Sequence, residues 1–216
     1  MLIDSRNFPS SESNGRREPS GQCRGTGWPP VHWAWLALLV ALGVILAFPD
    51  ARSVASAPTE YQVKAAYLYN FGKFVQWPAN ATAGNSNSFP ICVLGQDPFG
   101  KALDSAIVGE SINGKNVVAR RIAKTEEAAN CRVLFISSSE SSGLGRILSA
   151  LDDASLLTVS DMPDFAQRGG MIHLLLQDQR VRFEVNLDAA TRVGLTLSSQ
   201  LLKLAVKVRT QPKSRK

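Results

Sequence analysis

Beyond residue 60 the apolar positions change period several times. Residues 60–77 (EYQVKAAYLYNFGKFVQW) place Val63, Tyr67, Phe71 and Phe74 at helical spacing and predict a helix. Asn70 falls inside that apolar face, where a buried amide needs a hydrogen-bond partner, so Asn70 is expected to tie the helix to its neighbours. Trp77 closes the pattern, and Pro78 stops it because a residue before proline avoids the helical region. Residues 80–88 are small and polar and read as a loop.

Short, wholly apolar runs follow. Residues 89–94 (FPICVL), 116–122, 132–137 (RVLFIS) and 156–160 predict strands. Between them, Asp97-Pro98 is expected to open a helix, with Asp97 as its cap. Residues 137–142 read as a loop, 143–151 as a helix, and 162–168 as a short helix closed by Gly169-Gly170. Residues 171–177 (MIHLLLQ) and 181–187 (VRFEVNL) predict a hairpin around Asp178-Gln179-Arg180. Asp188 is expected to cap a long last helix running to Val208.

Apolar strands alternating with helices imply a single α/β domain with a mostly parallel sheet of about five to six strands. Helices would cover both faces, and the last hairpin would supply an antiparallel edge. Glu184 and Asn186 alternate with Phe183 and Val185, so they share one face of that edge. With Arg192 they form a candidate polar patch for a partner. The last helix carries Val193, Leu197, Leu201, Leu204 and Val208 on one side and Leu195, Leu202 and Val206 on the other. Such a helix sits between two layers or offers its second side to another molecule.

The N-terminal region changes the setting. No charged residue lies between Arg24 and Asp50, and residues 33–48 (WAWLALLVALGVILAF) are an unbroken apolar run of 16. That is short of the roughly 20 residues a spanning helix needs. Arg16, Arg17 and Arg24 precede it, and Ser53-Val54-Ala55 offers a small-residue cleavage site. Residues 1–55 therefore read as a cytoplasmic stretch plus signal peptide, or an uncleaved anchor. Either way residues 56–208 are placed outside the cytoplasm, in the periplasm.

Charge adds little. The formal net charge is +6, but residues 209–216 form a basic tail. Without Lys207, Arg209, Lys213, Arg215 and Lys216, the part beyond residue 56 has 14 basic and 14 acidic residues. A basic tail on a neutral body is no evidence for a nucleic-acid-binding face, and no nucleic-acid partner is expected. Of the 3 cysteines, Cys92 and Cys131 lie in the exported part. An oxidising compartment favours a bridge between them; two buried free thiols are the alternative.

The chain offers little for catalysis. Gly95–Lys101 fits G-x-x-x-x-G-K after a strand. Yet Ala102 stands where a Ser or Thr must reach Mg²⁺, and Pro98 lacks an N–H for phosphate. His173, the one histidine of the exported part, sits mid-strand. The carboxylate pairs Asp152/Asp153 and Asp161/Asp164 suit helix ends. No catalytic residue, metal site or cofactor is expected. A small-molecule site would sit in the crevice at the strand carboxyl ends.

Several segments together resemble the YfiR family of periplasmic proteins. They are KAAYLYNFGKFVQWP (64–78), FPICVLG (89–95), RVLFIS (132–137), GGMI (169–172), FEVNLDAA (183–190) and LSSQLLKLA (197–205). The similarity covers about residues 60–208. It implies an α/β domain that can form a homodimer, and a partner: an inner-membrane diguanylate cyclase of the YfiN type, held inactive through its periplasmic part. It implies that lowered cyclic di-GMP and less biofilm follow. Cys92 and Cys131 match the family's structural disulfide; a second cysteine pair that some members carry is not available here.

Overall fold

A computed structural model describes residues 57–79 and 87–210. The apolar run 33–48, its candidate cleavage site, Cys23 and residues 211–216 of the basic tail lie outside them.

Helix α1 (Glu60–Phe74) starts at a reciprocal cap. The Thr59 hydroxyl accepts from the Gln62 amide at 3.3 Å, and the Gln62 side chain accepts from the Thr59 amide at 2.7 Å. Strand β1 (Val75–Gln76) follows directly, then β2 (Ser88–Leu94), α2 (Lys101–Ile107), β3 (Ser111–Ile112) and β4 (Lys115–Ile122). A 3₁₀ turn (Thr125–Asn130) leads to β5 (Val133–Ile136), and another (Ser138–Gly143) leads to α3 (Leu144–Ala150). Then come β6 (Leu157–Ser160), β7 (Ile172–Gln177), β8 (Arg180–Asn186), α4 (Leu187–Arg192), β9 (Thr196–Leu197), α5 (Ser199–Leu204) and β10 (Lys207–Arg209).

Eight strands form one sheet in the order β10-β8-β7-β6-β5-β2-β4-β3, and β1 pairs with β9 in a separate two-stranded ribbon. The sheet is mixed and larger than the five to six mostly parallel strands expected. Its β7/β8 and β3/β4 joints are antiparallel. The extra strands are the short ones: β3 and β10 have 2 and 3 residues, too few for a period to register.

Alternation along the central strands splits the core in two. Ile91, Val93, Val133, Phe135 and Val159 pack under α1 and α2. Cys92, Leu94, Leu134 and Ile136 face the other way, against Ile147, Met162 and Phe165. Cys92 and Cys131 are bonded on this second face, with their Cα atoms 6.0 Å apart.

Four expectations are corrected. Asn70 is exposed; α1 instead buries Lys64, Ala65, Leu68, Tyr69, Phe71 and Gly72. Asp97 caps no helix: α2 begins four residues later after Gly100, and the Asp97 carboxylate accepts from the Phe99 amide at 2.8 Å. Residues 162–168 are turns, not a helix. The long last helix is four pieces, α4, β9, α5 and β10. Asn186, not Asp188, caps the first of them, its side chain accepting from the Ala189 amide at 3.1 Å. Gly194, at φ +78°, breaks the run, and Ser198 caps α5 by accepting from the Leu201 amide at 3.2 Å.

Candidate functional site

The sheet reverses its direction of growth between β2 and β5, the usual place for a ligand in such folds. Here the crevice is filled. Ser137 N–H bonds the Leu94 carbonyl at 3.0 Å, and Gln96 N–H bonds the Ser139 hydroxyl at 3.0 Å. At Gly95 a Cβ would come within 2.5 Å of the Glu140 carboxylate. The expected small-molecule position at the strand ends is thus taken by the protein's own side chains.

The phosphate-loop-like segment is likewise committed. Gly95 N–H goes to the Ile122 carbonyl at 3.3 Å, and Ala102 N–H to that of Phe99 at 3.0 Å. With Gln96 bonded to Ser139 and Phe99 to Asp97, four amides that would have to cradle a phosphate are already used. Arg121 on β4 secures the turn through Asp97 at 2.9 Å, Asp104 at 2.7 Å and the Gly100 carbonyl at 2.8 Å. These contacts raise the Arg121 pKa, chiefly through Asp104, and hold the Asp104 carboxyl below its ordinary value.

A polar cluster that the sequence reading passed over lies beneath the start of α1. Lys64 is 3% exposed and meets Asp161 at 2.6 Å and Glu60 at 2.5 Å. Tyr61 donates to the same Asp161 oxygen at 3.0 Å. Burial alone would lower the Lys64 pKa; its bonds to the two carboxylates outweigh that and raise it. The signal was present as a lysine amid an apolar helical pattern, with Asp161 just past a strand end.

The three residues of the candidate polar patch have different surroundings. β8 is not an edge at Glu184 and Asn186, because β10 pairs outside them. Glu184 faces His173 at 3.9 Å and Arg209 at 3.8 Å. Asn186 caps α4 and donates to the Ala166 carbonyl at 3.0 Å. Arg192 is exposed and lies 3.8 Å from Asp152. Burial holds the His173 imidazole below its ordinary pKa, against the pull of Glu184.

Trp77 packs edge-on against Phe89, ring centres 5.3 Å apart. Gly169 takes φ +106°, and a Cβ at Gly170 would sit 2.1 Å from the Phe165 ring. Both glycines close the turn before β7 in ways a side chain would obstruct.

Open surface lies elsewhere. A groove of about 610 Å³ runs between the start of α1 and the β7–β8 hairpin, with Val63, Tyr67 and Leu176 on one side and Arg180 and Arg182 on the other. Leu204, Val206 and Val208, in and beside β10, are also exposed, at 66%, 47% and 38%. Among the described residues no helix is long and apolar enough to cross a membrane.

Two solved structures match parts of this chain at 12% identity. One, an ABC domain from Streptococcus pneumonia in complex with L-Trp, has a TM-score of 0.48, with 67% of this chain and 60% of that one covered. The other, a conserved domain protein from Vibrio cholerae, has a TM-score of 0.49, with 71% and 62% covered. The chain spans about three fifths of the length of each. A family model described as YfiR/HmsC-like matches residues 61–206.

Proposed function

The chain belongs to the YfiR/HmsC-like family, and from that premise we propose that it is a periplasmic regulatory binding protein that represses an inner-membrane diguanylate cyclase. Lower cyclic di-GMP and reduced biofilm formation follow from that role. The observation that carries the reading is the family match over residues 61–206, which spans nearly all of the described domain. The commitment of the Gly95, Gln96, Phe99 and Ala102 amides and of Asp161 to structural contacts agrees with a binding role. The apolar run and small residues before position 56 support export.

Deleting the gene tests this directly. Cyclic di-GMP and surface attachment should rise, and a cyclase should be captured from solubilised membranes by the tagged protein. Unchanged cyclic di-GMP together with no captured cyclase would overturn the proposal. Glu184, Asn186 and Arg192 are its candidate contact residues. Arg192→Glu is the cleanest probe, because Arg192 is exposed and supports no cap; weaker capture at unchanged stability is expected.

A further inference from the structure

The sheet is unfinished along β8. That strand begins at Arg180, yet β10 pairs only with residues 184–186. The backbone beyond β10 shows what the remainder offers. The Phe183 carbonyl points outward and accepts from the Val206 amide at 2.9 Å. Two residues earlier Val181 must present its carbonyl to the same side. Among the described residues no strand meets it there; the Tyr67 hydroxyl donates to it at 3.3 Å. The groove of about 610 Å³ lies along this open stretch.

Its two walls differ in chemistry. Val181 and Phe183 project towards α1, so the side of the groove shared with Val63, Tyr67 and Leu176 is apolar. Leu176 is 55% exposed there. Arg180 and Arg182 project from the other face of β8, and both are exposed. Neither guanidinium has a hydrogen-bond or ion-pair partner among the described residues. Of the residues lining the groove the one carboxylate, Glu60, is held by Lys64 at 2.5 Å, and Glu184, next along the same face of β8, faces His173 and Arg209. The tight turn that closes the hairpin above carries backbone strain: Asp178 and Gln179 have φ +49° and +58° with no glycine.

We infer that the 180–183 edge of β8 receives an extended segment of a partner protein in which apolar and acidic residues alternate. Main-chain bonds would continue the ladder, apolar side chains would cover Val63, Tyr67 and Leu176, and carboxylates would meet Arg180 and Arg182. A second copy of this chain fits less well, because it would bring like-charged arginines together. The inference rests on the regulatory reading only in naming the cyclase's periplasmic part as the source of the segment.

The test uses the purified protein and two acetylated, amidated peptides, one alternating Val with Glu and one alternating Val with Lys. The acidic peptide should bind and slow hydrogen exchange at the Val181 amide. Arg180→Glu/Arg182→Glu, with an unchanged melting curve, should weaken it at least tenfold and admit the lysine peptide. Equal binding of both peptides, or protection that maps away from β8, would overturn the inference. So would a dimer in light scattering that the double variant abolishes. Cyclase capture unaffected by a double variant that has lost peptide binding would remove the cyclase as the source while leaving its repression intact.

Discussion

Lys64 is the residue on which the geometry of α1 turns. A lysine this deeply buried is tolerated because two carboxylates neutralise it and Tyr61 completes the shell of Asp161. Lys64→Ala leaves Asp161 nearly buried without its cation, so urea denaturation should show a loss of about 3–5 kcal/mol. Lys64→Met with Asp161→Leu should recover most of it. The Lys64 pKa is raised, so its contribution is full below the unfolded value near 10.5 and is lost as pH climbs past that. His173 acts at the other end of the scale. Its pKa is lowered, so its contribution is present above the unfolded value near 6.5 and falls away in acid. Melting of His173→Gln followed from pH 7.5 to 4.5 should fall less steeply than that of the parent. Asn70 shows the opposite lesson: its place in the helical pattern suggested burial, but α1 presents a buried face centred one residue away, on Leu68 and Phe71.

At the scale of elements, long periodic stretches were readable and short ones were not. α1, β2, β5, β7 and β8 stand close to where their patterns put them, because each buries a face wide enough to leave a period. β3 is only 2 residues long and was missed, although Asn113-Gly114 after it is a strong hairpin signal; both take φ above zero, at +51° and +73°. Residues 188–208 misled for a different reason. Their leucines recur at helical spacing, but Gly194 at φ +78° sits with Pro78 at 3.3 Å from where its Cβ would be, and packing of β9 on β1 prevails over local propensity. The Asp178-Gln179 turn allows a direct check. Gln179→Gly relieves a left-handed residue and should raise stability by about 0.5–1 kcal/mol, read as a higher urea midpoint at constant slope.

For the whole molecule, the covalent cross-link lies within the second core layer, where Cys92 and Cys131 are both buried. The 92–131 bond closes a stretch with a separation of 39 residues, for which loop entropy predicts a stabilisation of about 3–4 kcal/mol. Cys92→Ala/Cys131→Ala should therefore unfold at correspondingly lower urea, and reduced wild type should match it. A single α/β domain and the identity of the bridged pair were legible, because apolar runs and an even cysteine count leave a trace in the chain; the mixed, eight-stranded sheet was not. The interaction surface was not, because an open strand edge depends on where a distant strand stops.

Only Cys92 and Cys131 lie beyond residue 56, and this has a bearing on how the protein matures. With two thiols there is one intramolecular pairing, so there are no scrambled isomers to be sorted. Cells lacking a disulfide isomerase should accumulate the protein normally, whereas cells lacking the oxidant should not. On the proposed export route both sulfurs would arrive before β6 to β10, so the link could be made while the half of the sheet carrying the open edge is still emerging.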